Sequence, residues 1–244
     1  MSNKIALISV IIFMLLITGC PKPDEQATNP WLVPFQERHS SMLSRSQMRA
    51  MVRLGDIYNS AGMEKEYVGA LTTAVELYAG DQNVTFELIN ALIEDINELR
   101  SHVAIDPSPA RKDELEAQYE ELLRIMRTAC NQIPYNAELY YRTASLQYLR
   151  AEEDGDEDKY KDAINYLKRA IASDSGHLES YHLIAVCYER LEDNERALRF
   201  WKLFEVIYEI APQVMGDGFI DDQRRQLHQD ALARIEALEA SGTE

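Results

Sequence analysis

Residues 138–212 carry one spacing of ring-bearing and small side chains twice, and this repetition constrains the fold more than any other feature of the chain. Tyr141, Ala144, Ser145 and Tyr148 in one segment match Tyr181, Ile184, Ala185 and Tyr188 in the next. A second set follows, with Ala163, Leu167 and Ala170 beside Ala197, Trp201 and Phe204. The first set is offset by 40 residues and the second by 34; six inserted residues, the acidic stretch Glu152 to Glu157, account for the difference. Spacings of three and four place each set on one face of a helix. Small residues let two helices cross closely, and bulky ones fill the grooves between them. A unit of this size cannot bury its apolar face alone and must stack on others like it.

On these residues the chain resembles the tetratricopeptide repeat (TPR), a 34-residue helix–turn–helix unit. The family places a bulky residue, a large–small pair and an aromatic on its first helix. A small, a bulky and another small residue follow on the second, and then a proline. Phe204 departs from that pattern, standing where the family prefers a small side chain. An earlier copy is visible at Met51, Leu54, Gly55 and Tyr58, followed by Leu71 and Ala74. Tyr67 stands there in place of a small residue, so this helix pair is expected to splay. Leu115 to Pro134 reads as another second helix, with Met126, Ala129 and Pro134 in register, and Val84 to Val103 as its partner. Ile105-Asp106-Pro107-Ser108-Pro109 stops the helix between them. That hairpin is about twenty residues longer than the standard unit. After Pro212, Gln213 to Phe219 holds two glycines and reads as a loop. Asp221 or Asp222 then caps a closing helix whose apolar stripe is Leu227, Ala231, Ile235 and Leu238.

The expected fold is therefore all-α, a TPR-like solenoid of helical hairpins with about four helix pairs and a C-terminal capping helix. The domain is placed at 35–240, with its clearest repeats at 138–175 and 178–212, degenerate ones at 48–81 and 82–137, and the cap at 221–240.

The start of the chain reads differently. A cationic stub, Met1-Ser2-Asn3-Lys4, precedes an apolar run from Ile5 to Ile17, interrupted by Ser9. A spanning helix needs about 20 apolar residues, which this run lacks, while a secretory signal needs fewer. Ile17-Thr18-Gly19-Cys20 is similar to the lipobox of bacterial lipoproteins. The resemblance implies a signal peptide at 1–19, removed on export, and lipidation of Cys20 with diacylglycerol and palmitate-class chains. Residues 20–34 then form the acylated cysteine and a flexible linker. Two or more acyl chains hold a protein on a bilayer where one does so only marginally. By the family's rule, Pro21 rather than Asp after the cysteine implies the outer membrane, facing the periplasm, where the source has two membranes.

Charge fits that arrangement. The chain carries 25 Lys+Arg against 41 Asp+Glu, a formal −16. Cleavage before Cys20 removes one cation, Lys4, leaving 24 against 41 and a formal −17. Binding nucleic acid needs clustered cations, so that partner is not expected. The ten residues from Pro21 to Pro30 can extend roughly 33 Å, against a screening length of about 8 Å. A tether of that reach keeps an acidic body clear of an anionic surface.

Catalytic and metal-binding patterns are not found. An EF-hand loop starting at Asp154 would need Gly at position 159 and Glu at 165, and the chain has Lys159 and Asn165. His39, His102, His177, His182 and His228 form no spaced pair of zinc type. A Gly-rich phosphate loop and a Ser nucleophile elbow are likewise missing. Cys130 and Cys187 sit among apolar helical neighbours and read as buried free thiols. No cofactor and no enzymatic activity are expected.

What remains is the inner face of the solenoid. Carried over from the family, partner contacts fall on Leu139, Arg142, Leu146, Leu149 and Arg150 in one repeat, and on Glu179, His182, Val186, Glu189 and Arg190 in the next. The family's carboxylate clamp of Lys and Asn is missing. Arg142 and Arg150 either grip an acidic partner bidentately or pair with neighbouring Glu. The leading expectation is a membrane-anchored scaffold for protein partners of the cell envelope, in an assembly or secretion complex. A solute-binding accessory lipoprotein of a transport system, its pocket closed by the last helix, is the alternative; a cell-wall hydrolase would need paired carboxylates in a cleft.

Overall fold

The computed structural model describes residues 33–78 and 80–241, with side chains from Ser44 onward except at 215, 217 and 241. The signal segment 1–19, Cys20 and the linker up to residue 32 lie outside the described residues. Among the described residues nine α-helices follow in order: α1 Val33–Ser60, α2 Glu64–Leu77, α3 Gln82–Ile105, α4 Pro109–Gln132, α5 Ala137–Asp154, α6 Glu157–Ser173, α7 Leu178–Arg190, α8 Asn194–Met215 and α9 Asp222–Ser241. A 3₁₀ turn, Asp217–Phe219, separates the last two. The described chain is an all-α solenoid of four helical hairpins closed by α9, as its repeats predict.

Local chemistry sets the ends of these helices. Asp81 accepts from the backbone N–H groups of Asn83 and Val84, Asn136 from Leu139, Asp193 from Arg196 and Asp221 from Arg224. Each satisfies a donor that the first helical turn leaves open. Pro109 opens α4, where a missing N–H costs nothing. The acidic turn after α5 is a pair of caps: Gly155 takes the left-handed conformation at φ +68°, and the Asp156 carboxylate receives the N–H of Asp158.

Several points differ from expectation, among them the start of α4 at Pro109, six residues before Leu115. The first helix begins at Val33, before the expected start of the domain, and admits Pro34 because a first turn tolerates proline. The Gln213 to Phe219 loop is shorter than expected, because α8 continues through Pro212 to Met215. The helix ends where Gly216 takes a positive φ of 91°. The α1–α2 pair, where a splay was expected at Tyr67, approaches closely at one point. A methyl added to Gly55 would lie 3.4 Å from the Tyr67 ring and 3.7 Å from Ala70, so the missing side chain on one helix makes room for the large one on the other.

Two buried clusters fill the body. The first joins Leu71 of α2, Leu88 and Ile89 of α3, Leu122, Leu123 and Met126 of α4, and Leu139 of α5. The second joins Ala144 of α5, Ala163 and Leu167 of α6, Tyr181 and Ile184 of α7, Trp201 and Phe204 of α8, and Ala231 of α9. Helix α5 belongs to both and ties the halves together. Cys130 and Cys187 are buried free thiols, one in each cluster; burial pushes the Cys187 thiol up to about 12.

Two irregularities of the sequence meet in space. The hairpin of α3 and α4, 24 residues in each helix, overshoots the standard unit. The six inserted residues lengthen α5 to 18 residues, against 13 in α7. At the far end of α5, Glu153 accepts from Arg100 Nε of α3 at 2.7 Å and from the Tyr119 hydroxyl of α4 at 3.0 Å. The insertion thus supplies the acceptor for the overhang of the preceding hairpin.

Candidate interaction face

The first helices of successive hairpins, α3, α5, α7 and finally α9, lie side by side and are joined by a ladder of polar contacts. Arg142 of α5 donates to Asn90 of α3 at 2.5 Å and to Glu138 at 2.5 Å, and its guanidinium lies 5.1 Å from the Phe86 ring centre. Glu138 also faces His177, just ahead of α7, at 3.5 Å. Hydrogen bonding to His177, then to Arg142, holds the Glu138 carboxyl down to about 2. At the other end of α5, Glu152 accepts from Arg190 of α7 at 2.9 Å and from the Tyr160 hydroxyl at 2.5 Å.

The next rungs connect α7 to α9. Arg224 donates to Glu179 at 2.9 Å, and Arg234 donates to Glu189 at 2.8 Å. Glu189 also accepts from Trp201 Nε1 at 2.6 Å. His182 Nε2 lies 3.2 Å from Asp230. A carboxylate can only accept, so this nitrogen carries the proton. The imidazole stands edge-on to Trp201 with centroids 4.9 Å apart. Burial depresses its pKa despite the pull of Asp230.

The ten residues carried over from the family therefore separate into distinct groups. Leu139 and Leu146 are core side chains packed on the first cluster. Arg150 is 4% exposed and salt-bridged to Glu116 and Glu120 of α4. Glu179, His182 and Glu189 are engaged by Arg224, Asp230 and Arg234 of α9. Arg142, Leu149, Val186 and Arg190 remain at the surface at least in part. Of the two readings of Arg142 and Arg150, pairing with neighbouring carboxylates is the one found. An always-charged guanidinium taken out of water needs such partners. Pairs from α9 were missed because nothing local marks Arg224, Asp230 and Arg234 as facing α7. The i, i+4 carboxylates Glu116 and Glu120 were the one available signal for a cation opposite.

Between the rungs runs an apolar strip. Ser145 and Leu149 on α5 and Leu183 and Val186 on α7 are half-buried, and α5 and α7 touch. Spacings of three and four keep each pair on one helix face. The strip is edged by the Glu138–Arg142 and Glu152–Arg190 pairs, so its cations are already neutralised. Such a surface offers apolar contact framed by carboxylates. A separate cleft of about 170 Å³ lies between α2, α3 and α4, lined by Val75, Leu88, Ile125 and Arg124. Its arginine is already held by Glu121 at 2.7 Å. Among the described residues no cluster of His, Cys, Asp and Glu could hold a metal ion, and no helix is long and apolar enough to cross a membrane.

No family model and no curated protein matches this chain. Among solved structures, it is similar to MamA, with TM-score 0.48 and 16% identity over 68% of this chain and 81% of that one. It is similar to MamA residues 41-end from Desulfovibrio magneticus RS-1, with TM-score 0.46 and 15% identity over 80% of this chain and 96% of that one. A thermophilic TPR protein in Thermus thermophilus gives TM-score 0.38 and 16% identity, over 76% of this chain and 99% of that one.

Proposed function

We propose that this chain is a protein-interaction scaffold held at a membrane of the bacterial cell envelope through a lipidated Cys20, with its partner docking on the α5–α7 strip. The observation that carries the reading is the strip itself: Leu149, Leu183 and Val186 stay half-buried, while Leu139, Leu146, Leu178 and Ile184 of the same helices are packed away. The partner is read as a segment with apolar side chains and cations. Every arginine along the strip already holds a carboxylate, and the whole chain is formally −16, so an acidic segment would meet repulsion. The solute-binding reading gains no such support. The space beneath α9, where its pocket was expected, is filled by Trp201, Phe204, Ala231 and Ile235. The cleft of about 170 Å³ beside α3 is smaller than the usual ligand site of roughly 300–1,000 Å³, and a broader hollow of about 640 Å³ is lined by α4 alone, with Glu120, Glu121, Arg124 and Arg127 at its edge and no facing wall.

Affinity capture from solubilised membranes tests the strip. Leu149→Lys with Val186→Lys should abolish recovery of the partner, while Arg111→Glu in the first turn of α4 should leave it intact. Recovery unaffected by the double variant overturns the assignment. The anchor is tested separately: Cys20→Ser should move the chain from the membrane to the soluble fraction, and continued sedimentation with membranes would refute lipid anchoring.

A further inference from the structure

The joint between α4 and α5 buries polar side chains without satisfying them. Thr143, Gln147 and Arg150 are 0, 2 and 4% exposed, and their spacings of four and three set them on one face of α5. That face meets α4: Thr143 Oγ1 lies 3.6 Å from Cys130 Sγ, and Arg150 pairs with Glu116 and, at 2.9 Å, with Glu120. Gln147 Oε1 and Arg150 Nε have no hydrogen-bond partner. Among the described residues the other buried side-chain atom without one is Gln118 Oε1, on α4. Polar side chains buried elsewhere do better: Thr85 donates to the Asp81 carbonyl at 2.8 Å, and Ser180 Oγ lies 3.0 Å from His177 Nδ1. In the next repeat the place of Gln147, forty residues on, is taken by Cys187, wholly buried in the second apolar cluster.

The two ends of this joint are built differently. At one end residues 133–136 tie the helices through a short turn, and Leu139, Tyr140 and Leu146 of α5 share the first apolar cluster with Leu123, Met126 and Cys130 of α4. Past Gln147 the two hairpins are held by polar pairs: Arg150 with Glu116 and Glu120, and Glu153 with Arg100 and the Tyr119 hydroxyl. Each of these carboxylates reaches water, and ion pairs in reach of water hold weakly. A buried polar atom without a partner has given up its hydration for nothing.

We infer that the α4–α5 joint is a hinge. The short turn and the apolar end are its pivot, and the polar end opens to admit water. Opening swings the overlong α3–α4 hairpin away from α5 and leaves the α5–α7 strip as it is. Water then bonds to Gln147 Oε1 and Arg150 Nε, which offsets the loss of the Glu153 contacts. Closed and open forms therefore lie close in free energy, and the solenoid changes its curvature at this joint.

Pairs of nitroxide labels in the full chain, attached through a ketone-bearing amino acid that spares the native thiols, test this by pulsed electron resonance. Labels at Lys112 and Asp158, near the starts of α4 and α6, span the hinge; labels at Asp158 and Glu195, near the starts of α6 and α8, span the next joint. All three positions are exposed. The first pair should give a broad distance distribution with a longer component, and the second a single narrow one. Gln147→Leu removes the unsatisfied oxygen and should remove most of the longer component; Gln147→Met, of similar volume, makes the same test should the leucine variant fold poorly. Glu153→Ala should enlarge that component. Equal widths for the two pairs would overturn the hinge, as would a first distribution unchanged by substitution of Gln147. A component that Glu153→Ala leaves unchanged would overturn the polar end as the part that opens.

Discussion

Around α3 and α4 the interior is aliphatic, with Leu88, Ile89, Leu122, Leu123 and Met126 wholly buried. Around α7 and α8 it is built from rings and alanines, with Trp201 and Phe204 set among Ala163, Ala185 and Ala197. Aliphatic side chains fill the space between long helices in several equivalent ways. A ring fits only opposite a small residue, so the second half needs given residue types at given positions. The half with the stricter rule is also the half whose repeat is readable.

That contrast orders the expected effects of substitution. Trp201→Ala removes the largest buried side chain of the second cluster together with its hydrogen bond to Glu189, and should cost ~3–5 kcal/mol by chemical denaturation. Leu122→Ala in the first cluster should cost ~2–5 kcal/mol by the same measurement. Shape separates the halves more sharply. Ala163→Leu overpacks a close helix crossing and should cost ~1–3 kcal/mol, whereas Leu123→Met, conserving volume in the aliphatic half, should cost less than ~1.5 kcal/mol. Equal costs for these two would erase the distinction between the cores.

Acid should act on the halves in opposite directions. His182, in the second half, has a depressed pKa. The folded state therefore binds fewer protons than the unfolded one, and its contribution is lost as pH falls below the ordinary histidine value. Glu138 has a folded pKa of about 2 against 4.5, so its contribution is full above the higher value and lost as pH falls toward the lower. Asp95, on α3, is raised by burial and by Glu64, Glu98 and Glu94. Protonation relieves that site, so it gains as pH falls. Amide exchange compared between neutrality and about pH 5 should show α7 and α9 losing protection before α2 and α3. His182→Phe should remove the part of that loss nearest neutrality.

The smallest effect concerns the hairpin turns. Gly155 ends α5 in the left-handed conformation, and Glu192 holds the same region at φ 57° after α7. Glu192→Gly should gain roughly 0.5–1 kcal/mol and Gly155→Ala should lose a similar amount, read as shifts in thermal midpoint.

Much of the second half was legible because its signals are local. Tyr181, Ile184 and Tyr188 show a helix face within eight residues, and Asp221 or Asp222 marks where the closing helix begins. The α3–α4 hairpin was placed by its Pro107 and Pro109 and by the register of Met126 and Ala129. The interaction face was legible only in outline. Arg142 and Arg190 stay at least partly at the surface, but Leu139, Leu146 and Arg150 point into packed or paired surroundings. Whether a side chain at such a position is free depends on what the neighbouring hairpin presents, and Glu116 and Glu120 belong to a degenerate repeat whose one signal is their own i, i+4 spacing.

From the sequence alone followed the helical class, the four hairpins and the cap, since periodicity, small residues and the Asp221 or Asp222 cap act within a few residues of one another. Tertiary structure alone decided which of the face's charges are spent internally, that Glu153 of the insertion serves the overlong hairpin, that Gly55 makes room for Tyr67, and that α9 engages Glu179, His182 and Glu189. Each of these joins side chains from separate helices, and the energy that selects them is gained only when those helices have already stacked.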